Sequence, residues 1–109
     1  MGLLLASIRK QYLIGYRHEL EYKIQLITQA KMELSKSIDD LVNTGTDYES
    51  GNPYLKQLEE RKSKLQLLEK KLDLQMNEYG EKLKMVEAEI KSCEGMFQKH
   101  LEESFSYGK

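Results

Sequence analysis

Tryptophan is absent from this chain, proline and cysteine occur once each, and phenylalanine only twice. Each shortage excludes something. The lone cysteine, Cys93, rules out an intrachain disulfide, and a free thiol of this kind fits best as a small apolar residue in a helix seam. With Pro53 the only proline, little interrupts helix formation on either side of it. Long apolar runs are missing, and no stretch approaches the ~18 apolar residues of a membrane span. An excess of one charge is missing too. Acids and bases number 18 and 17, and the balance is local: residues 1–43 carry six Lys/Arg against five Asp/Glu, and residues 54–109 carry eleven of each. Phosphate backbones are held by one-signed basic stripes, so nucleic acid is not an expected partner.

The signatures of catalysis are also missing. No GxSxG, P-loop or glycine-rich dinucleotide turn occurs. His18 and His100 are remote in sequence, and no Cys/His/Asp cluster has metal-ligand spacing. Asp39-Asp40, Glu59-Glu60 and Glu102-Glu103 are adjacent acids, which a helix turns onto different faces as solvated surface. The expectation is a non-enzymatic protein with no cofactor and no metal. Met1-Gly2-Leu3-Leu4-Leu5 is a poor targeting signal, because Arg9 and Lys10 interrupt after about six apolar positions. Myristoylation wants Ser or Thr where Ala6 stands. The chain is therefore expected in the cytoplasm, or outside the cell by a route that cleaves no signal peptide.

What is present is the composition of long helices. Of 109 residues, 32% are charged, with Glu, Lys and Leu prominent. From about 3 to 43 only Gly15 disfavours a helix. Residues 44–52 collect small polar residues and two glycines, so they read as a loop. Gly45 suits a left-handed residue just past a helix end, and Gly51 lies within the turn. Asn52 is a good N-cap, and Pro53 then takes the first helical position, where its missing N–H costs nothing. A second helix follows from about 53 to 104. The expected fold is all-α, one domain over 1–109: two long antiparallel helices forming a coiled-coil hairpin.

A heptad supports that pairing. Leu13, Leu20, Ile27, Leu34 and Leu41 recur every seventh residue in the first helix, with Tyr16, Ile24, Ala30 and Ile38 between them. The second helix repeats the interval with Leu58, Leu65, Leu72, Tyr79, Val86 and Cys93, interleaved by Leu68, Met76, Leu83, Ile90 and Phe97. Around Leu68, Leu72 and Met76 the spacing slips to 4-4, which reads as a local change of supercoil.

A hairpin helix requires one apolar stripe, yet each of these carries a second. At 100° per residue, Leu67, Leu74, Met85 and Met96 fall roughly opposite Leu65, and Leu4, Ile8, Tyr22 and Leu26 fall opposite Leu13. If the helices end near 42 and begin near 54, facing residues sum to about 96. Residues beyond about 95 then overhang the chain's own start by roughly 20 Å. That overhang includes Met96, Phe97, Leu101, Phe105 and Tyr107. Both features predict contact between chains.

Ser50-Gly51-Asn52-Pro53-Tyr54-Leu55-Lys56-Gln57-Leu58, followed by Ser63-Lys64-Leu65, resembles the hairpin turn of type III secretion needle subunits. The resemblance implies a small secreted protein that polymerises helically around a narrow channel. It covers the turn and the overall plan; the heptad here is stricter than in that family. The functional expectation is a structural subunit that self-assembles into an oligomer or filament, with protein as its partner. The alternative is a cytosolic coiled-coil adaptor or secretion chaperone that binds a helical client.

Overall fold

The computed structural model describes residues 2–107, with side chains for residues 2–104. Two helices account for nearly all of them, α1 (Gly2–Thr46) and α2 (Pro53–Tyr107), with no strand among the described residues. The chain is an all-α antiparallel hairpin.

The turn is three residues shorter than its composition predicts, because α1 continues past Asn43 to Thr46. Two threonines explain the extra turn. Thr44 Oγ1 donates to the Asp40 carbonyl at 2.8 Å and Thr46 Oγ1 to the Asn43 carbonyl at 2.7 Å, so polar side chains that favour loops here bind the helix's own carbonyls. Gly45 is consequently helical rather than left-handed; a Cβ placed on it would meet Leu55 Cδ2 at an ordinary 3.9 Å. The left-handed residue is Gly51, with φ 95°. Asn52 caps α2 through its Oδ1, which accepts from the Tyr54 amide at 2.9 Å. At its other end α2 runs to Tyr107, beyond the expected 104.

The hairpin divides into two compact units. The first joins residues 1–23 to 79–109. Leu13, Leu20, Val86, Ile90 and Cys93 form its core, with Ile14, Tyr16, Tyr79 and Leu83 packed against them. Ala6 is buried as well. The second unit, 24–78, contains the turn. Ile27 and Leu34 are buried there, while Leu41, Leu58, Leu65 and Leu72 are half-buried.

The second seam column departs from expectation. In α2 the positions 55, 58, 62, 65, 69, 72, 76, 79, 83, 86, 90 and 93 are all half-buried or buried, and besides them only Asp73, Gly80 and His100 among the described side chains. Glu69, not Leu68, occupies the inward place, and Leu68 is 46% exposed. No 4-4 slip occurs: the heptad is unbroken, but Lys62 and Glu69 take two of its places. In α1 the same column holds Leu3, Lys10, Arg17, Ile24, Lys31 and Ile38. Long polar side chains can sit at such places by burying their stems and keeping their heads wet.

The helix register also differs from the arithmetic based on predicted ends. In the first unit, Lys10 Nζ pairs with Glu94 at 3.4 Å, Lys23 Nζ lies 5.5 Å from the Tyr79 ring, and Gly2 adjoins His100. Those residue numbers sum to 104, 102 and 102. In the second unit Lys31 pairs with Asp73, a sum of 104. With Arg9–Glu89, which sums to 98, these contacts centre on about 102, not 96, a displacement of roughly 9 Å at 1.5 Å per residue. The longer α1 accounts for about half of it, since the observed ends at Thr46 and Pro53 sum to 99. The overhang shrinks accordingly: Phe97 lies level with the first turns of α1, and only residues beyond His100 pass its start.

Candidate interaction surface

The heptad faces already described determine what remains outside. In the first unit Leu4, Ile8 and Tyr22 on α1 and Met85 and Met96 on α2 are all exposed. Leu5 and Tyr12 join them, although the opposite-face arithmetic does not select either. Both share the heptad column of Leu26 (5, 12, 19, 26), so following that column in sevens would have found them. Phe97 and Leu101 are exposed too, at 39% and 41%, despite the level of α1 that Phe97 shares. The side chains of Phe105 and Tyr107 lie outside the described residues. In the second unit Leu26, Leu67 and Leu74 are exposed, Leu74 at 69%.

Charge around the outward residues of the first unit is already engaged. Arg9 Nη2 donates to Glu89 Oε2 at 2.8 Å, and its guanidinium stands 5.7 Å from the Tyr12 ring. Lys10 reaches Glu94, and Arg17 Nε faces Glu21 at 3.6 Å. That last distance is an ion pair rather than a hydrogen bond, and Arg17 Nε, shielded from solvent, has no hydrogen-bond acceptor. These pairs are half-exposed, where each is worth about 0–1 kcal/mol. They neutralise charge, and the two that join the helices, Arg9–Glu89 and Lys10–Glu94, fix register, more than they stabilise.

The tyrosines act locally. Tyr12 and Tyr16 stack at 6.5 Å between ring centroids, and Tyr48 and Tyr54 stack at 5.7 Å across the turn. Tyr79, the one aromatic in the α2 heptad series from Leu58 to Cys93, lies between two ammonium groups, Lys23 at 5.5 Å and Lys82 at 5.6 Å. Rings of this kind attract cations through the negative π-face. This explains how a tyrosine fits at the wet edge of an aliphatic seam.

Concave features are shallow. Near the turn, Leu41, Val42, Gly45, Leu55 and Leu58 border a depression of about 200 Å³, and Ser37, Asp40, Leu41, Arg61 and Leu65 a wider furrow of about 540 Å³. Both are open grooves between helices. Among the described residues, no group of three or more His, Cys, Asp or Glu is placed to hold a metal ion, and no helix is long and apolar enough to cross a membrane.

No family model, curated protein or solved structure matches the chain.

Proposed function

We propose that this chain is a non-enzymatic structural subunit that self-assembles through helix–helix packing into an oligomer or filament. The observation that carries the reading is the outward apolar series on both helices, left uncovered once each seam has been buried. Scattered apolar side chains are ordinary on a protein surface. A series repeated on both helices of a hairpin, opposite the seam, is what a helix shows when it packs on two sides. The turn's likeness to secretion needle subunits is compatible with this reading and extends it to a filament.

Light scattering during size-exclusion chromatography tests the proposal on the intact chain. The expected mass is a multiple of 12.8 kDa that falls on dilution. Leu67→Glu with Leu74→Glu places two charges on the exposed face of α2, leaving the seam intact, and is expected to weaken higher assembly while keeping helical circular dichroism. A purely monomeric wild-type chain would overturn the proposal. An adaptor would behave differently, keeping one small mass at all concentrations until a helical client is added.

A further inference from the structure

We infer that the open end of the hairpin, formed by the first turns of α1 beside the last turns of α2, is the surface on which a second copy docks. The inference rests on the self-assembly reading and locates its interface. Three observations converge on the first unit.

The first is the distribution of apolar side chains around α1. Leu3 and Ala6 point inward, half-buried and buried, while Leu4, Leu5, Ile8 and Tyr12 on other faces are each at least 57% exposed. A helix segment that carries an apolar face besides its seam normally has that second face covered too. Here α2 covers one side only. Across the same mouth, Met96 and Phe97 on α2 are exposed as well. The open end therefore carries an uncovered apolar collar contributed by both helices.

The second is charge. No Asp or Glu occurs before Glu19, and the basic groups beside the collar are paired with acids, Arg9 to Glu89 and Lys10 to Glu94. With both basic groups of this part of α1 already paired, the collar offers little to anionic headgroups or phosphates. It suits another neutral apolar surface, and the collar itself is one. A patch that contains complementary elements from both helices can meet its own copy about a two-fold axis.

The third is area. The six collar side chains, Leu4, Leu5, Ile8, Tyr12, Met96 and Phe97, are exposed and offer apolar surface on the order of 100 Å² apiece. Their sum is of the same order as the ~800 Å² that each partner contributes to a stable interface.

The test uses the full chain and two double variants, read by light scattering over a dilution series. Leu4→Glu with Ile8→Glu places acids in the first turns of α1, where the helix dipole favours them, so the fold is retained. The dissociation constant is expected to rise by about a hundredfold or more, with unchanged circular dichroism in the monomer. Leu67→Glu with Leu74→Glu, in the second unit, is expected to leave this contact between two copies intact and to weaken only assembly beyond it. If instead Leu4→Glu with Ile8→Glu assembles as the wild type does while that variant dissociates, self-assembly stands and the open-end interface is refuted. A monomeric wild type refutes both. A second measurement does not depend on those variants. With Cys93→Ala as background, one spin label at the exposed Gln11 should show a short distance to its counterpart in the other copy. Labels at Ser63, in the second unit, should lie farther apart. The reverse order also overturns the inference.

Discussion

At the residue scale, burial separates side chains that look alike in sequence. Leu20 is 1% exposed and lies in the core cluster with Leu13, Val86, Ile90 and Cys93. Truncating it removes packed methyl groups and leaves a cavity, so Leu20→Ala is expected to cost about 2–5 kcal/mol. Leu68 is 46% exposed, and Leu68→Ala should change stability by about 0.5 kcal/mol or less. Urea denaturation at fixed protein concentration checks both; equal losses would mean that Leu68 is buried and that the heptad slips at that point. Sequence pattern alone could not separate them, since Leu68 and Glu69 are neighbours and the apolar one is the natural choice for a seam. The polar stems are the missing signal. Counting back from Val86 and Cys93 in sevens reaches Leu72 and Leu65, and counting back from Ile90 and Leu83 reaches Met76, Glu69 and Lys62. Keeping that count despite the charges would have given the uninterrupted seam.

At the element scale, two long helices and their reversal were legible because the signals are repetitive or chemically specific. Five sevenfold steps link Leu58 to Cys93, and Asn52-Pro53 marks a helix start in the only way those residues do so efficiently. The end of α1 was less legible. Thr44, Gly45 and Thr46 are loop-forming by type, and only the geometry of the last turn lets both hydroxyls reach carbonyls at Asp40 and Asn43. That local misreading propagated into the register, and from there into the length of the overhang. The outward series was readable from helical angles, but its concentration at the mouth depended on the register. Spin labels can test the register within the second unit. Ser35 and Gln66, both exposed, sum to 101, whereas Ser35 and Glu59 sum to 94. The structure predicts the shorter separation for Ser35 with Gln66, because Glu59 is displaced about 10 Å farther along the helix axis. A register centred on 96 predicts the opposite order, so the ranking of the two distances decides between them.

At the scale of the whole molecule, the corrected register changes what the end of α2 does. With an overhang beginning near 95, cutting the chain after Cys93 would spare the hairpin and remove only a docking segment. The structure argues otherwise. Glu94 pairs with Lys10, and His100 lies so close to Gly2 that a Cβ there would meet its Nε2 at 3.0 Å. Residues 94–100 are therefore the intrachain cover of the first two turns of α1. A helix end deprived of its tertiary packing frays, because short isolated helical segments are marginal in water. A chain ending at Cys93 is expected to lose more helical signal than its missing residues explain. It should also lose amide protection over residues 5–8 in hydrogen exchange, together with its ability to assemble. A chain ending at Glu103 keeps all of this cover. It should retain protection over residues 5–8, and it should assemble if the collar rather than the extreme terminus forms the contact. Two results would contradict this account. Persistent protection of residues 5–8 in the shorter chain would show that α2 does not hold the start of α1. Loss of assembly in the longer one, with protection intact, would move the interface beyond Glu103.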